Sequence, residues 1–115
     1  MNNVSLTGRV ATDVDLKELD AERRVASFLL AVDRPKEGEA DFFWISAWNK
    51  QADACHRFLK KGKQVGVYGR LRSRSWEEEG KRRNAVDVVA HRVEFLSPPD
   101  GAAADAEIPF EAVAG

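Results

Sequence analysis

Hydrophobic and polar residues alternate with a period of two along several segments of this chain, which is the pattern of β-strands that bury one face. The longest such segment covers residues 65–76. Its apolar positions are Val65, Val67, Gly69 and Leu71, and the opposite positions are Tyr68, Arg70, Arg72, Arg74 and Trp76. The alternation predicts a strand with one face in the core and, on the other face, a row of arginines bracketed by aromatic rings. Such a row suits an extended polyanion whose bases can stack.

A second alternating segment, residues 42–48, carries large aromatic residues on both sets of positions. One set is Phe43, Ile45 and Ala47, and the other is Phe42, Trp44, Ser46 and Trp48. A thin barrel wall cannot bury both sets, so we expect the second set to face outward, where nucleobases would cover the rings. The same rings would also suit a subunit interface or a second layer of core.

Similar patterns elsewhere predict three further strands and one helix. The five strands cover residues 4–10, 24–32, 42–48, 64–76 and 85–96, and the helix runs from residue 50 to about residue 59. Asn49 stands where it can cap the start of this helix, and Gly62 is a natural stop. Gly8 predicts a bulge or a close backbone approach in the first strand. The polar residues 77–83 predict a long hairpin tip.

Five strands with one helix between the third and the fourth is the order of elements in the OB-fold, a five-stranded Greek-key barrel. We therefore predict an all-β OB-fold domain over residues 1–96. The remaining residues, 97–115, are rich in Ala, Gly, Pro and acidic side chains and poor in apolar bulk. That composition predicts a disordered acidic C-terminal tail.

The charge of the chain is unevenly distributed, although the formal net charge is only −1. Residues 50–83 contain eleven Lys and Arg against four Asp and Glu, whereas residues 97–115 contain four acidic residues and no basic ones. A local positive surplus attracts phosphate whatever the total. The residues that we expect to contact phosphate are Arg9, Arg34, Lys36, Arg70, Arg72, Arg74, Lys81, Arg82 and Arg83. For the last three, pairing with the acidic residues 77–79 is an equally good alternative.

Other features argue against a secreted protein, a membrane protein and an enzyme. The single cysteine, Cys55, cannot form an internal disulfide, and we find neither a signal peptide nor an apolar run near the roughly 20 residues of a membrane span. We therefore expect a cytoplasmic location. His56 and His91 lack partners at ligand spacing, and no phosphate-binding loop or nucleophile–base motif is present. We predict no metal, no cofactor and no catalysis.

Four segments are similar, in order and spacing, to motifs of the bacterial-type single-stranded DNA-binding proteins. They are residues 3–10, 42–49, 58–62 and 64–76, and the resemblance spans about residues 3–96. It implies a nucleoid-associated homotetramer, with a dimer as the alternative, that wraps single-stranded DNA. It also implies that bases stack on Phe42, Trp48 and Trp76. Trp44 stands where the family has a polar or basic residue, so it either adds a stacking platform or closes an interface.

Two features depart from this family. In the loop after the second strand, where the family stacks a further base, residues 34–36 contain no aromatic ring, so Arg34 and Lys36 would contact the DNA backbone instead. The family usually ends in an acidic tip that docks on replication and repair proteins. Here that tip would be Glu107, Ile108, Pro109 and Phe110, but five more residues follow it. The tip is then weakened, binds its partners differently, or carries the extra residues as a variant feature; alternatively, it is an acidic tail without a partner.

The sequence therefore predicts a non-enzymatic protein that binds and protects single-stranded DNA without sequence preference, in replication, recombination and repair. Aromatic stacking and Arg/Lys contacts to phosphate would supply the binding. Two alternatives stay open. One is a primosomal OB protein of replication restart, and the other is a structural domain whose aromatic face is a protein interface.

Overall fold

The computed structural model describes residues 1–97 of the 115-residue chain as six strands and one helix. The elements are β1 (Val4–Val10), β2 (Asp15–Glu18), β3 (Arg24–Asp33), β4 (Ala40–Trp48), α1 (Lys50–Phe58), β5 (Gln64–Glu78) and β6 (Lys81–Phe95). No helix within residues 1–97 is long and apolar enough to cross a membrane.

Five of the strands form a closed ring. β1 pairs with β5, β5 with β6, β4 with β3 and β3 with β1, all antiparallel, while β6 and β4 pair in parallel. The helix connects β4 to β5, which are the third and fourth strands of the ring in chain order. This architecture confirms the predicted OB-fold.

The short strand β2 was not predicted from the sequence. Within it only Leu16 is partly buried, so the segment shows no apolar alternation. It forms because its backbone pairs with the first half of β3, where Leu16 lies opposite Ala26. A non-local pairing partner therefore defines β2, and local composition does not reveal it.

One hydrophobic core fills the ring. Its buried residues are Val10, Ala26, Phe28, Leu30, Ile45, Ala47, Ala52, Cys55, Leu59, Val65, Val67, Val88, Ala90 and Val93. The helix contributes Ala52 and Cys55, and Leu59 follows it, which is the stripe that the sequence predicts. Burial raises the pKa of the Cys55 thiol to about 12, so this cysteine stays protonated at neutral pH.

Asn49 occupies the predicted N-cap position of the helix, but its side chain does not act as a cap because it makes no capping hydrogen bond. Its Oδ1 instead accepts a hydrogen bond from the backbone N–H of Arg24 at 3.0 Å. The Arg24 guanidinium donates two hydrogen bonds of 2.8 Å to Asp53, which ties the helix to β3 and lowers the pKa of the Asp53 carboxyl. The helix ends at Phe58, before Gly62, which adopts a φ of 95° in the turn into β5.

The region predicted as a long hairpin tip is mostly strand. β5 continues to Glu78 and β6 begins at Lys81, so only Glu79 and Gly80 form the turn, with φ of 52° and 76°. Two successive residues with positive φ fit a two-residue hairpin turn that matches the strand twist. Next to the turn, acidic residues 77–78 lie opposite basic residues 81–82, an arrangement of cross-strand charges that is compatible with a sheet.

A β-bulge divides the long β5–β6 hairpin. Tyr68 pairs with Arg92 and Gly69 with Ala90, so His91 is the extra residue on β6. Beyond the bulge the hairpin extends out of the barrel as an arm, defined as residues 71–86. Leu71, predicted to face the core, is 43% exposed because the arm projects past the core.

Two glycines allow strands to approach closely. A Cβ at Gly8 would lie 2.2 Å from the carbonyl oxygen of Ala31, which confirms the predicted close approach in the first strand. A Cβ at Gly69 would lie 2.1 Å from the carbonyl oxygen of Val89. Backbone atoms cannot move aside as a flexible side chain can, so both positions require glycine.

We expect Gly69→Ala to lower the free energy of unfolding by about 1–3 kcal/mol, because the added methyl overpacks the β5–β6 ladder at the bulge. Urea denaturation followed by circular dichroism measures this change. Gly66→Ala in the same strand is the matched control, since its nearest neighbour would be 3.8 Å away. We expect the control to shift stability by less than about 0.5 kcal/mol. Equal effects of the two substitutions would contradict the steric explanation.

Candidate nucleic-acid interface

The aromatic residues of β4 face outward as predicted. Ile45 and Ala47 are buried in the core, whereas Phe42 is 58% and Trp44 49% exposed. Trp48, on the same side of the strand, is partly buried. The sequence therefore identified the correct outer face, and the four-residue pattern leaves at least two large rings open to solvent.

The arginine row of β5 lies on the same surface as these rings. Arg70 pairs with Val89 and Arg72 with Asp87 across β6, and Val89 pairs in turn with Ser46 of β4. A pocket between the rows is lined by Ser27, Trp44, Ile45, Ser46, Arg72, Arg74 and Asp87. We name this surface the aromatic–basic face; its members are Phe42, Trp44, Trp48, Arg70, Arg72, Arg74 and Trp76.

Trp76 occupies the part of the face on the hairpin arm. Its ring is 41% exposed. The indole Nε1 donates a hydrogen bond of 3.2 Å to Glu78, and the Arg74 guanidinium lies 5.7 Å from the ring centre, within cation–π range. These two contacts restrain an exposed ring that would otherwise be free to rotate.

A buried carboxylate holds two arginines of the row. The side chain of Asp87 is only 8% exposed, and its oxygens accept hydrogen bonds from Arg72 Nε at 3.1 Å and from Arg72 Nη2 at 3.2 Å. Arg74 Nε lies 2.8 Å from the Oδ2 atom of the same carboxylate. Sequence reasoning missed Asp87, although one acidic residue within the apolar run 86–90 of β6 was a usable signal.

The basic residues at the end of the hairpin divide between two faces. Arg83 lies opposite Trp76 and Lys81 lies opposite Glu78, so both share the side of the arginine row. Arg82 lies opposite Glu77, and its Nη2 donates a hydrogen bond of 3.1 Å to Ser75, which places it on the other side of the arm. The structure therefore brings Lys81 and Arg83, and not Arg82, to the aromatic–basic face.

Arg34 and Lys36 lie in the hairpin between β3 and β4, next to acidic partners. Arg34 donates hydrogen bonds of 2.6 and 2.8 Å to Asp41 and lies 3.2 Å from Glu39. The guanidinium lowers the pKa of the Asp41 carboxyl, and the carboxylate in turn raises the pKa of Arg34. Lys36 lies 3.7 Å from Glu39. The positive charge at this hairpin is thus offset by local carboxylates.

Arg9 is better placed to contact a DNA phosphate than Arg34 and Lys36 are. It lies opposite Ala31 on β3, and Ala31 lies opposite Phe42 on β4, so Arg9 and Phe42 share the outer side of the sheet. Arg9 is 3.5 Å from Asp33, and both side chains are mostly exposed. An exposed ion pair of this kind holds its partners weakly. The predicted tip at residues 107–110 lies outside the described residues.

Comparison with known proteins identifies relatives of the whole described region. The group described as the single-strand binding protein family matches residues 1–96. Single-stranded DNA-binding protein 3 of Clostridium acetobutylicum is 46% identical over 102 residues, which are 84% of this chain and 71% of the relative. Single-stranded DNA-binding protein 2 of Listeria innocua is 44% identical over 104 residues, 85% of this chain and 65% of the relative.

A relative with lower sequence identity carries the same kind of name. The single-stranded DNA-binding protein of Treponema pallidum is 37% identical over 113 residues, 93% of this chain and 64% of the relative. The chain thus spans 64–71% of the length of these three relatives. These matches confirm the resemblance found in the sequence motifs, and the chain belongs to the single-strand binding protein family.

Proposed function

We propose that this protein binds single-stranded DNA without sequence preference and without catalysis, through the aromatic–basic face. The observation that carries the proposal is the alignment of exposed rings with an arginine row on one side of the barrel. The relatives named single-stranded DNA-binding proteins support it.

Stacking supplies the sequence-tolerant part of the binding. Every base has an aromatic face, so Phe42, Trp44 and Trp76 can stack with any base, each for about 1–3 kcal/mol, a magnitude known for DNA-binding OB-folds in general. Trp48 offers a smaller open surface because it is partly buried. Unpaired bases have free faces and duplex bases do not, so stacking also selects single strands.

Phosphate neutralisation supplies the electrostatic part. Arg70, Lys81 and Arg83 lie on the face, and among residues 1–97 none of the three forms an ion pair with a carboxylate oxygen within 4.0 Å, although Lys81 lies opposite Glu78. Arg72 and Arg74 contribute as a pair that shares one carboxylate. Arg9 adds a cation near Phe42. Arg34 and Lys36, which are paired with local acids, and Arg82, on the opposite side of the arm, contribute less.

The biological role that we propose is to coat and protect exposed single strands in the cytoplasm during replication, recombination and repair. A homotetramer, or alternatively a dimer, would extend the binding surface over several copies of the domain. Residues 107–110 are the segment through which replication and repair proteins would be recruited. Size-exclusion chromatography with light scattering separates the two assemblies.

The test of DNA binding is intrinsic tryptophan fluorescence. All three tryptophans of the chain, Trp44, Trp48 and Trp76, belong to the proposed face. We expect strong quenching on titration with oligo(dT) and little quenching with a duplex of equal length, because only unpaired bases can stack on the indoles. No quenching by oligo(dT), with the protein folded, would contradict the proposal and favour a protein interface at these rings.

A further inference from the structure

Asp87 is an acidic residue at the centre of a surface proposed to bind a polyanion. Its carboxylate lies in the pocket between Trp44 and the arginine row. Coulomb repulsion between this charge and DNA phosphates would weaken binding if the carboxylate acted on the ligand alone. A buried charge is also unfavourable unless it is paired. The position therefore requires an explanation in terms of what the carboxylate contacts.

The contacts of Asp87 fix the two guanidiniums in different ways. Arg72 uses its Nε and Nη2 atoms, the side edge of the guanidinium, in a two-point contact with both carboxylate oxygens. This leaves the end edge, formed by Nη1 and Nη2, with N–H groups that can donate to another acceptor. Arg74 contacts Oδ2 through Nε and also lies against the Trp76 ring. One carboxylate thus orients both arginines and, through Arg74, borders a stacking ring.

We propose that Asp87 is a positioning residue, which holds Arg72 and Arg74 in the orientation in which their free N–H groups contact DNA beside Trp44 and Trp76. Arginine side chains lose considerable rotamer freedom when they bind a ligand, and a carboxylate that immobilises them beforehand reduces that loss. The protein gives up one unit of positive charge on the face and gains two guanidiniums of fixed geometry. This inference rests on the proposed function.

The opposite interpretation is that Asp87 only balances charge in the fold. The two interpretations predict opposite changes in DNA affinity when the Asp87 carboxylate is removed. If Asp87 merely offsets positive charge, its removal makes the face more positive and strengthens binding to DNA. If it positions the arginines, its removal weakens binding even though the face becomes more positive.

The experiment compares Asp87→Asn with Asp41→Asn. Asp41 is the matched control because it also contacts one arginine, Arg34, at two donor atoms and its substitution changes the formal charge equally. It lies in the β3–β4 hairpin, outside the aromatic–basic face. At about 0.3 M salt, where electrostatic attraction is screened, we expect Asp87→Asn to bind oligo(dT) about three- to tenfold more weakly than the unaltered protein. Asp41→Asn should bind equally well or slightly better.

Two further readouts separate positioning from loss of fold. Asp87→Glu, which keeps the carboxylate, should recover part of the affinity that Asp87→Asn loses. In a protein that already carries Arg72→Gln and Arg74→Gln, Asp87→Asn should cause no further loss, whereas a damaged fold would weaken binding in that background too. Thermal melting of each variant is the control that tests whether it is folded.

The possible results distinguish this inference from the function on which it rests. If Asp87→Asn strengthens binding as Asp41→Asn does, Asp87 only balances charge and the positioning role is wrong. If the loss persists without Arg72 and Arg74, the carboxylate does not act through them and the inference is equally wrong. If the unaltered protein fails to bind oligo(dT), both the proposed function and the positioning role are wrong.

Discussion

Replacing Phe42, Trp44 and Trp76 together by alanine is expected to weaken oligo(dT) binding by more than a hundredfold. Each stacked base contributes about 1–3 kcal/mol, and 1.4 kcal/mol corresponds to a tenfold change in affinity. The three rings are 41–58% exposed, so their removal leaves the core intact. Fluorescence anisotropy with labelled oligo(dT) measures the affinity, since the variant retains only Trp48.

Stacking and charge can be separated in the same experiment. The triple alanine variant keeps every cation of the face, so the slope of log affinity against log salt should stay unchanged while the affinity falls. Phe58→Ala is the control, because Phe58 is 43% exposed but lies on the helix, where it packs against Phe95. We expect the control to bind as the unaltered protein does. Unchanged affinity of the triple variant would refute stacking as a source of binding.

Trp48 is left out of this variant for a structural reason. Trp48 is partly buried and lies opposite Val25 next to the start of the helix. Alanine there would therefore remove packing contacts as well as any stacking surface. A loss of affinity from Trp48→Ala would combine two effects. The three exposed rings give a cleaner measurement.

The barrel was predictable because burial imposes the period of the strands on the sequence. Val65 and Val67 are buried whereas Gln64 and Tyr68, on the other side of β5, are exposed. Ile45 and Ala47 alternate with the outward rings of β4 in the same way, since each strand has one face in the core. The OB-fold followed from the order of these strands and the single helix. Local pattern was therefore sufficient wherever one face of an element packs against the core.

Elements that depend on distant partners were missed. β2 forms only because β3 lies beside it, and the ladder between β5 and β6 continues to Glu78 and Lys81, where acidic and basic residues occupy opposite positions. Asn49 failed as a helix cap because its side chain binds the backbone of Arg24, twenty-five positions earlier. For β2 and Asn49 the deciding interaction joins residues that are distant in the chain, so a short sequence window does not reveal it. The hairpin tip is a local exception, because its polar residues have the composition of a loop although they pair as strands.

The same limit applies to the candidate site. The sequence correctly predicted which side of the sheet carries the outward rings and the arginine row. It did not show that Asp87 holds two of the arginines, because they meet across the β5–β6 pair, or that Arg34 is paired with Asp41, because they meet across the β3–β4 loop. Counting cations in the sequence thus overestimates the positive charge that is available to bind DNA phosphates.

This difference between paired and unpaired cations leads to the second large effect. Replacing Arg70, Lys81 and Arg83 together by glutamine should flatten the slope of log affinity against log salt by about 2, since each phosphate on a single strand contributes about 0.7. With equal affinities of the two proteins at about 1 M salt, the same relation predicts about five-hundredfold lower affinity of the variant at about 50 mM salt. Binding titrations at several salt concentrations measure both quantities.

A matched variant removes the same formal charge from positions that the structure places elsewhere. Arg34→Gln, Lys36→Gln and Arg82→Gln together remove three cations, two beside their own carboxylates and one on the opposite side of the arm. We expect this variant to flatten the slope far less. Equal flattening would mean that DNA responds to the total charge of the domain and that the aromatic–basic face has no special role. A clear difference would mean that phosphates follow the arginine row, with the exposed rings beside them positioned to stack on the bases.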